Sequence, residues 1–318
     1  MQVSFIIPHK GRTEMLAQTV ASIWQQDFAG DQFEVIVVTQ NQDLDNGLLT
    51  AGDGRTAKLV FQTPDKTISA SRNLGVRHAK GDYLAFLDAD VELSSNWIKA
   101  MLAELNSAPD RVLVSAMQQC NDSAPPLEKI RTALSNADVD CNLRFLPGRN
   151  LLLARETFFA AGQFPEHLIT CEDYYFTDQV HKHGKLFYSS AATYIHLGED
   201  KILGEMYKKE IWRGQSNIQS IKGRNIPFSE IPSFIVPVWI AFFALMAVVS
   251  LLFISVNAAV GCIAAALLPI VIYAFRLYKL PSNTVSYWQI LKFYLVYFPA
   301  RIVGTFGGVI KAVELKQQ

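Results

Sequence analysis

The sequence predicts an α/β fold, a mostly parallel Rossmann-like sheet covered on both faces by helices, followed by a C-terminal helical hairpin. Three observations carry this. Over roughly the first 215 residues, short β-branched and aromatic runs alternate with amphipathic helical stretches. One apolar run, Tyr83–Leu87, ends in two carboxylates one residue apart, Asp88 and Asp90. After Pro232 charge disappears: residues 234–256 are 23 positions, and 258–275 another 18, without Asp, Glu, Lys or Arg.

Each element follows in order. Residues 3–7 read as a first strand stopped by Pro8. Thr13 can cap a helix that puts Leu16, Val20, Ile23 and Trp24 on one face. Residues 33–38 and 59–61 are the next apolar runs, 69–79 is helical, and Tyr83–Leu87 has the length and composition of a buried strand. A helix over 96–105 and a strand over 112–115 follow. Residues 120–146 are less regular, broken by Pro125 and Pro126. A short strand (150–153), a short helix (155–161) and a helix over 173–183, with Gly184 as its C-cap, complete the first part. The expected organisation is a globular domain over 1–230, a hairpin over 231–280 and a tail over 281–318.

The chain has 318 residues, 50% hydrophobic and 18% charged, with zero net charge. That zero hides an asymmetry. After Ser233 there are six basic residues and one acidic, leaving 23 basic against 28 acidic before it. A mildly acidic globular part is joined to a basic, apolar tail, and no nucleic-acid partner is expected. Cys120, Cys141, Cys171 and Cys262 have no C-x-x-C spacing, so neither a zinc site nor a disulfide framework is implied. The first residues lack a basic stretch followed by a long apolar one, so no signal peptide is read and the globular part is expected in the cytoplasm.

A 23-residue helix spans about 35 Å, enough for a bilayer core. Only Asn257 and small neighbours separate the two uncharged runs, which predicts a hairpin with its turn there. Lys222 and Arg224 precede it; Arg276 and Lys279 follow. The positive-inside rule then puts both outer ends in the cytoplasm of an inner membrane. Residues 287–313 are apolar but carry Lys292, Arg301 and Pro299. A mid-membrane Arg costs about 2.5–3.5 kcal/mol, so an interfacial or re-entrant helix kinked at Pro299 is expected over a third crossing.

The chemistry centres on Asp88 and Asp90. A buried strand ending in Asp-x-Asp sets hard oxygen ligands at the lip of an α/β sheet, where such sheets bind ligands. Those oxygens suit Mg²⁺ or Mn²⁺ carrying a phosphate-bearing substrate; the same residues also serve as turn formers or helix caps. Arg72, early in its helix, can reach a phosphate or pair with Asp88 or Asp90. Gly75 permits close helix–sheet approach.

Taken together, Ser4-Phe5-Ile6-Ile7-Pro8, Arg72-Asn73-x-Gly75 and Ala79-x-Gly81-Asp82-Tyr83-x-x-Phe86-Leu87-Asp88-x-Asp90 resemble the N-terminal half of family-2 glycosyltransferases of the GT-A fold, in their membrane-anchored bacterial form. Gly148-Arg149-Asn150-Leu151 resembles the acceptor-side strand. Gly162-Gln163-Phe164-Pro165-Glu166, then Glu172-Asp173, resembles the family's acceptor motif. The match keeps order and spacing over about residues 1–215.

The resemblance implies roles. Asp88 and Asp90 would bind the donor diphosphate through Mn²⁺ or Mg²⁺, with Asp88 also near the ribose. Asp173 would be the general base for an inverting attack by an acceptor hydroxyl, and Glu172 would position it. Read alone, Glu172-Asp173 is an acidic first helical turn. His196 stands where relatives carry a metal-ligating His, though a lone His is as readily structural. Arg213, in Trp212-Arg213-Gly214, could clamp the diphosphate or be membrane-facing charge beside Lys208, Lys209 and Lys222. Pro8, His9, Lys10 and Arg12 could supply donor contacts from the first loop, or form a solvated turn. Many relatives end the second strand in Asp-Asp-Gly-Ser; here it ends Val38-Thr39-Gln40-Asn41, so Gln40 would have to read the base. Asn73 joins the donor set, and a UDP-sugar is the expected donor.

The expected activity is therefore metal-dependent transfer of one sugar to a membrane lipid or lipid-linked acceptor. A nucleotidyltransferase would leave Glu172-Asp173 unexplained, and a non-catalytic membrane scaffold would not need Asp88, Asp90 and Asp173 intact.

Overall fold

The computed structural model describes residues 2–214 and 231–314. The chain divides into two compact units, Met1–Asn121 with Asp138–Glu199, and Asp122–Ala137 with Asp200–Gln318. The expected boundary at 230, with Lys222 and Arg224, lies outside the described residues.

The first unit is built on one nine-stranded sheet. Its strands are β1 (Val3–His9), β2 (Phe33–Thr39), β3 (Lys58–Phe61), β4 (Tyr83–Leu87), β5 (Val91–Leu93), β6 (Arg111–Gln119), β7 (Cys141–Leu143), β8 (Asn150–Ala154) and β9 (Lys185–His196). Their order is β3-β2-β1-β4-β8-β6-β9-β5, with β7 also on β9. The pairings leave six of the nine strands running one way, with β5, β7 and β8 reversed. Connections leave β1 toward β2 on one side, and β4 lies on the other. The crevice between the C-terminal ends of β1 and β4 is thus the switch point, where open α/β sheets take their ligands.

Alternate residues of the central strands feed two cores. Phe5 and Ile7 of β1 and Ala85 and Leu87 of β4 pack with α1 (Thr13–Trp24) and α3 (Trp97–Asn106). Ile6, Leu84 and Phe86 pack with α2 (Ile68–His78), α5 (Arg155–Ala160) and α6 (Glu172–His181). The two-sided cover follows from the period of two along each strand. A Cβ on Gly75 would lie 2.5 Å from Ile6 Cγ2, so glycine is what lets α2 approach β1.

Several boundaries differ from expectation. β1 continues through Pro8 to His9. Its ladder with β4 ends at Ile6, so beyond that point only β2 is a neighbour and Pro8 is tolerated. Arg12, in left-handed conformation (φ 50°), occupies the cap position of α1, and Thr13 is already helical. The helix expected over 173–183 is α6, and it ends at His181 with Lys182 as its C-cap. Gly184 serves a different purpose: a Cβ there would lie 2.5 Å from the Asp110 carbonyl oxygen. β5, β7 and most of β9 were not expected. In β9, Ser189 pairs with Ala116 and Thr193 with Met117, so residues 190–192 bulge out and break the alternation that marks a strand.

The second unit is helical: α4 (Pro126–Ser135), α7 (Leu203–Gly214), α8 (Ile231–Phe253), α9 (Val256–Tyr278) and α10 (Tyr287–Glu314). The Pro125-Pro126 pair starts α4 rather than breaking the chain, because proline fits the first helical position. α8 and α9 are long and apolar enough to cross a membrane. Their surface stays apolar and open, with Phe253 80% and Leu252 68% exposed. The hairpin turns at Ile254-Ser255, not at Asn257: Ser255 Oγ accepts the Ala258 N–H at 3.2 Å and caps α9, which already contains Asn257. α10 runs unbroken through Pro299. It packs against α7 and α9 through Ile290, Phe293, Tyr294 and Phe298, and Arg301 finds Glu210 at 3.7 Å. It is a packed helix of this unit with a partner for its buried charge.

Candidate active site

α2 brings Arg72 to the sheet's switch point and buries it, 1% exposed. One Nη donates to Asp88 Oδ1 at 2.9 Å and to the Gly148 carbonyl at 3.2 Å. The other donates to Glu172 Oε1 at 2.9 Å. Its guanidinium also lies 4.9 Å over the Phe164 ring. Of the two sequence readings the structure shows the ion pair, and the pair is double: Arg72 joins the Asp88 carboxylate at the end of β4 to the Glu172 carboxylate that opens α6. The Gly148 loop closes the same joint from below. Its carbonyl accepts from Arg72, while its N–H donates to Asp173 Oδ2 at 3.2 Å.

Asp90 is held from two sides. Oδ2 accepts from Arg12 Nη1 at 2.5 Å, and Oδ1 lies 3.4 Å from His196 Nε2. The antiparallel pairing of β5 with β9 sets Val91 opposite His196, and the Leu197 N–H donates to the Asp90 carbonyl at 2.8 Å. Behind the imidazole, Nδ1 is 3.0 Å from Glu199 Oε2, which also accepts from Gln118 at 3.1 Å and Arg149 at 3.2 Å.

Burial and mutual charge tune these groups. Burial and the Asp90 charge push Asp88 up against the pull of Arg72. Asp90 is lowered: burial opposes, but His196, Arg12 and Arg149 outweigh it. Burial and the Asp173 charge push Glu172 up to about 7, with Arg72 opposing. His196 is raised, since Asp90 and Glu199 overcome burial and the Arg149 charge.

The remaining expected donor residues scatter. Pro8 is a ladder residue of β1, opposite Val38. His9 is buried beside Thr39 (Nδ1 to Oγ1 2.9 Å), and burial lowers its pKa. Lys10 is exposed and donates to the Pro64 carbonyl at 3.1 Å. Gln40 donates to the Lys66 carbonyl at 2.8 Å, just before α2. Asn73 is consumed by the fold. Its amide donates to the Phe164 carbonyl and Glu166 and accepts the Phe164 N–H, all within 3.1 Å. Arg213 belongs to the second unit, where it donates to Glu210 at 2.6 Å. Arg149, though inside the Gly148-Arg149-Asn150-Leu151 motif, and Glu199 were given no role of their own; their pairing spans 50 positions.

Two donors face each other where a cation is expected, Asp90 Oδ1 and His196 Nε2, and among the described residues no third His, Cys, Asp or Glu completes a cluster. Mg²⁺ and Mn²⁺ bind through one or two protein groups plus substrate phosphates, so this pair fits a metal that arrives with a diphosphate. Asp88 is a weaker candidate ligand than expected, because Arg72 holds its Oδ1.

Comparison with known proteins bears on family and fold. The family model described as "Glycosyl transferase family 2" matches residues 4–164. Glycosyltransferase AglE of Haloferax volcanii is 22% identical over 226 residues, 68% of this chain and 73% of its own. The Campylobacter jejuni GalNAc(5)-diNAcBac-PP-undecaprenol beta-1,3-glucosyltransferase is 28% identical over 109 residues, 33% of this chain and 35% of its own. Among solved structures, the Pyrobaculum calidifontis mannosyltransferase PcManGT in complex with GDP-Man and Mn²⁺ superposes with a TM-score of 0.61 at 19% identity, covering 95% of this chain and 87% of that one. S. aureus TarS 1-349 with UDP gives 0.50 at 16%, covering 95% and 90%. These superpositions establish a GT-A-like fold. The chain belongs to glycosyl transferase family 2 and is a glycosyltransferase.

Proposed function

We propose that this enzyme transfers one sugar, with inversion, from a nucleoside-diphosphate sugar to a hydroxyl or phosphate oxygen of a membrane-associated acceptor. The carrying observation is Arg72. By pairing with Asp88 and Glu172 it makes the donor end of β4 and the acceptor end of α6 parts of one site.

In this reading Asp90 and His196 hold Mn²⁺ or Mg²⁺. The metal supplies charge neutralisation to the departing nucleoside diphosphate. Arg12, half-exposed and already on Asp90, is free to turn its guanidinium toward the diphosphate. Asp173, held by the Gly148 N–H, takes the acceptor proton as its oxygen attacks the anomeric carbon. Arg72 and Asn73 act by holding carboxylates and the 162–166 loop in place, not by touching donor. Gln40 and His9 lie at the ends of β2 and β1, where a base would be read. UDP is the donor nucleotide expected from the resemblance; the solved neighbours carry UDP in one case and GDP-Man in another.

Two membrane-length helices support an anchored enzyme, and Arg276 and Lys279 at the end of α9 favour a cytoplasmic active site at an inner membrane. The polyprenyl-linked substrate named for the Campylobacter relative supports a lipid-linked acceptor. The test is release of free nucleoside diphosphate from a panel of sugar nucleotides with Mn²⁺ and a polyprenyl-diphosphate glycan. One donor should be turned over by the full chain and not by Asp90→Asn. Turnover of none, with every acceptor tried, would sink the reading.

A further inference from the structure

We propose that Glu199 is a positioning residue of the cation site, fixing the His196 ring so that Nε2, not Nδ1, is offered beside Asp90. The proposal rests on the reading of Asp90 and His196 as the cation pair.

Glu199 is 5% exposed, and a carboxylate so buried needs partners to hold its charge. One of its oxygens gathers three groups: His196 Nδ1 at 3.0 Å, Gln118 Nε2 at 3.1 Å and Arg149 Nη1 at 3.2 Å. Gln118 and Arg149 are themselves joined, Nη1 to Oε1 at 3.0 Å, and the Tyr194 hydroxyl lies 3.3 Å from the same Oε1. The carboxylate therefore cannot swing without breaking a buried network.

The backbone locks the same turn. The Glu199 N–H donates to the His196 carbonyl at 3.2 Å, and the Leu197 N–H to that of Asp90 at 2.8 Å. Gly198 is pressed onto Asp90 so closely that a Cβ there would overlap Oδ2 and lie 2.6 Å from Arg12 Nη1. Glycine there lets the turn bring Glu199 behind the ring without displacing the Asp90 carboxylate or Arg12.

A neutral imidazole carries one N–H and one lone pair. With Nδ1–H given to Glu199, the lone pair is on Nε2, 3.4 Å from Asp90 Oδ1. A carboxylate behind a ligating histidine sets both tautomer and ring orientation, and loss of such a partner weakens metal binding by about 10–100-fold.

The test uses the full chain in detergent without sugar nucleotide. Mn²⁺ is titrated by EPR, and pulsed EPR reads its coupling to histidine nitrogen. Glu199→Ala should weaken Mn²⁺ binding by about 10–100-fold and lose the nitrogen coupling, while Glu199→Gln, which keeps a neutral acceptor, recovers most of both. Glu199→Ala with unchanged affinity and coupling overturns the proposal. His196→Ala separates it from the reading beneath it: weakened binding there with none in Glu199→Ala sinks the proposal alone, and no change in either sinks both. If Glu199→Ala does not fold, nitrogen NMR of ¹⁵N-histidine in the unaltered chain decides. Nδ1 protonated and Nε2 responding to Mg²⁺ supports the assignment; the opposite tautomer contradicts it.

Discussion

At the scale of single residues, the site turns on one buried guanidinium. Arg72 pairs with two carboxylates, one at the end of β4 and one at the start of α6, and neither is fully solvated. Removing one partner of a buried ion pair costs about 3–5 kcal/mol, because the other charges stay behind. Arg72→Met should lower stability by about that much in urea unfolding, and Arg72→Lys should not restore it, since an ammonium cannot form the two-sided fork. Glu172 adds a pH dependence of definite sign. Its ordinary value is 4.5, and burial with the Asp173 charge raises it to about 7 in the folded chain. The folded state thus binds its proton more tightly than the unfolded one. Glu172 then favours folding below about pH 4.5, and that contribution is lost as pH climbs to about 7. Unfolding free energies at pH 5, 6 and 7 should fall more steeply for the natural chain than for Glu172→Gln. Asp88 and Asp90 were legible because strand, turn and carboxylates are neighbours in sequence. The long-range pairings were not: Arg72 stands 100 positions from Glu172, and Arg12 78 from Asp90. Sequence offered Arg72 either Asp88 or Asp90; folding gave it the first and handed the second to Arg12.

At the scale of elements, periodicity found what repeats and missed what is interrupted. The helices packed on the central strands show an apolar stripe, and the strands β1, β2 and β4 are mostly apolar runs. β9 is long but carries a three-residue bulge pinned by Asp140, whose carboxylate accepts from the Ser190 N–H at 2.8 Å and its hydroxyl at 2.7 Å. No alternation survives that. α4 was hidden by a Pro-Pro pair that reads as a breaker and acts as a starter. α10 carries Arg301 against Glu210 of α7, a pairing that its own sequence does not announce. The same two helices meet at paired glycines. A Cβ on Gly304 would lie 2.5 Å from the Ile211 carbonyl oxygen, and one on Gly214 within 2.9 Å of Gly304 Cα. Gly304→Ala should therefore destabilise by about 1–3 kcal/mol despite alanine's better helix propensity. Gly307→Ala, one turn on with nothing within 4 Å, should be neutral or gain up to about 1 kcal/mol. Thermal unfolding of both in one detergent compares them directly.

At the scale of the whole molecule, charge was the legible property. A mildly acidic first part and a basic, apolar tail are compositional facts, and the two membrane-length helices follow from the uncharged runs within that tail. What composition could not give is the inclusion of 122–137 in the helical unit, which depends on packing between residues far apart in sequence. The functional claim also lives at this scale: binding of donor and activation of acceptor belong to one site but to different residues. Asp173→Asn separates them. With Mn²⁺, its affinity for the sugar nucleotide should stay within about threefold of the natural enzyme, while sugar transfer falls by about 10²–10⁴-fold. Transfer at the natural rate by Asp173→Asn would contradict the account.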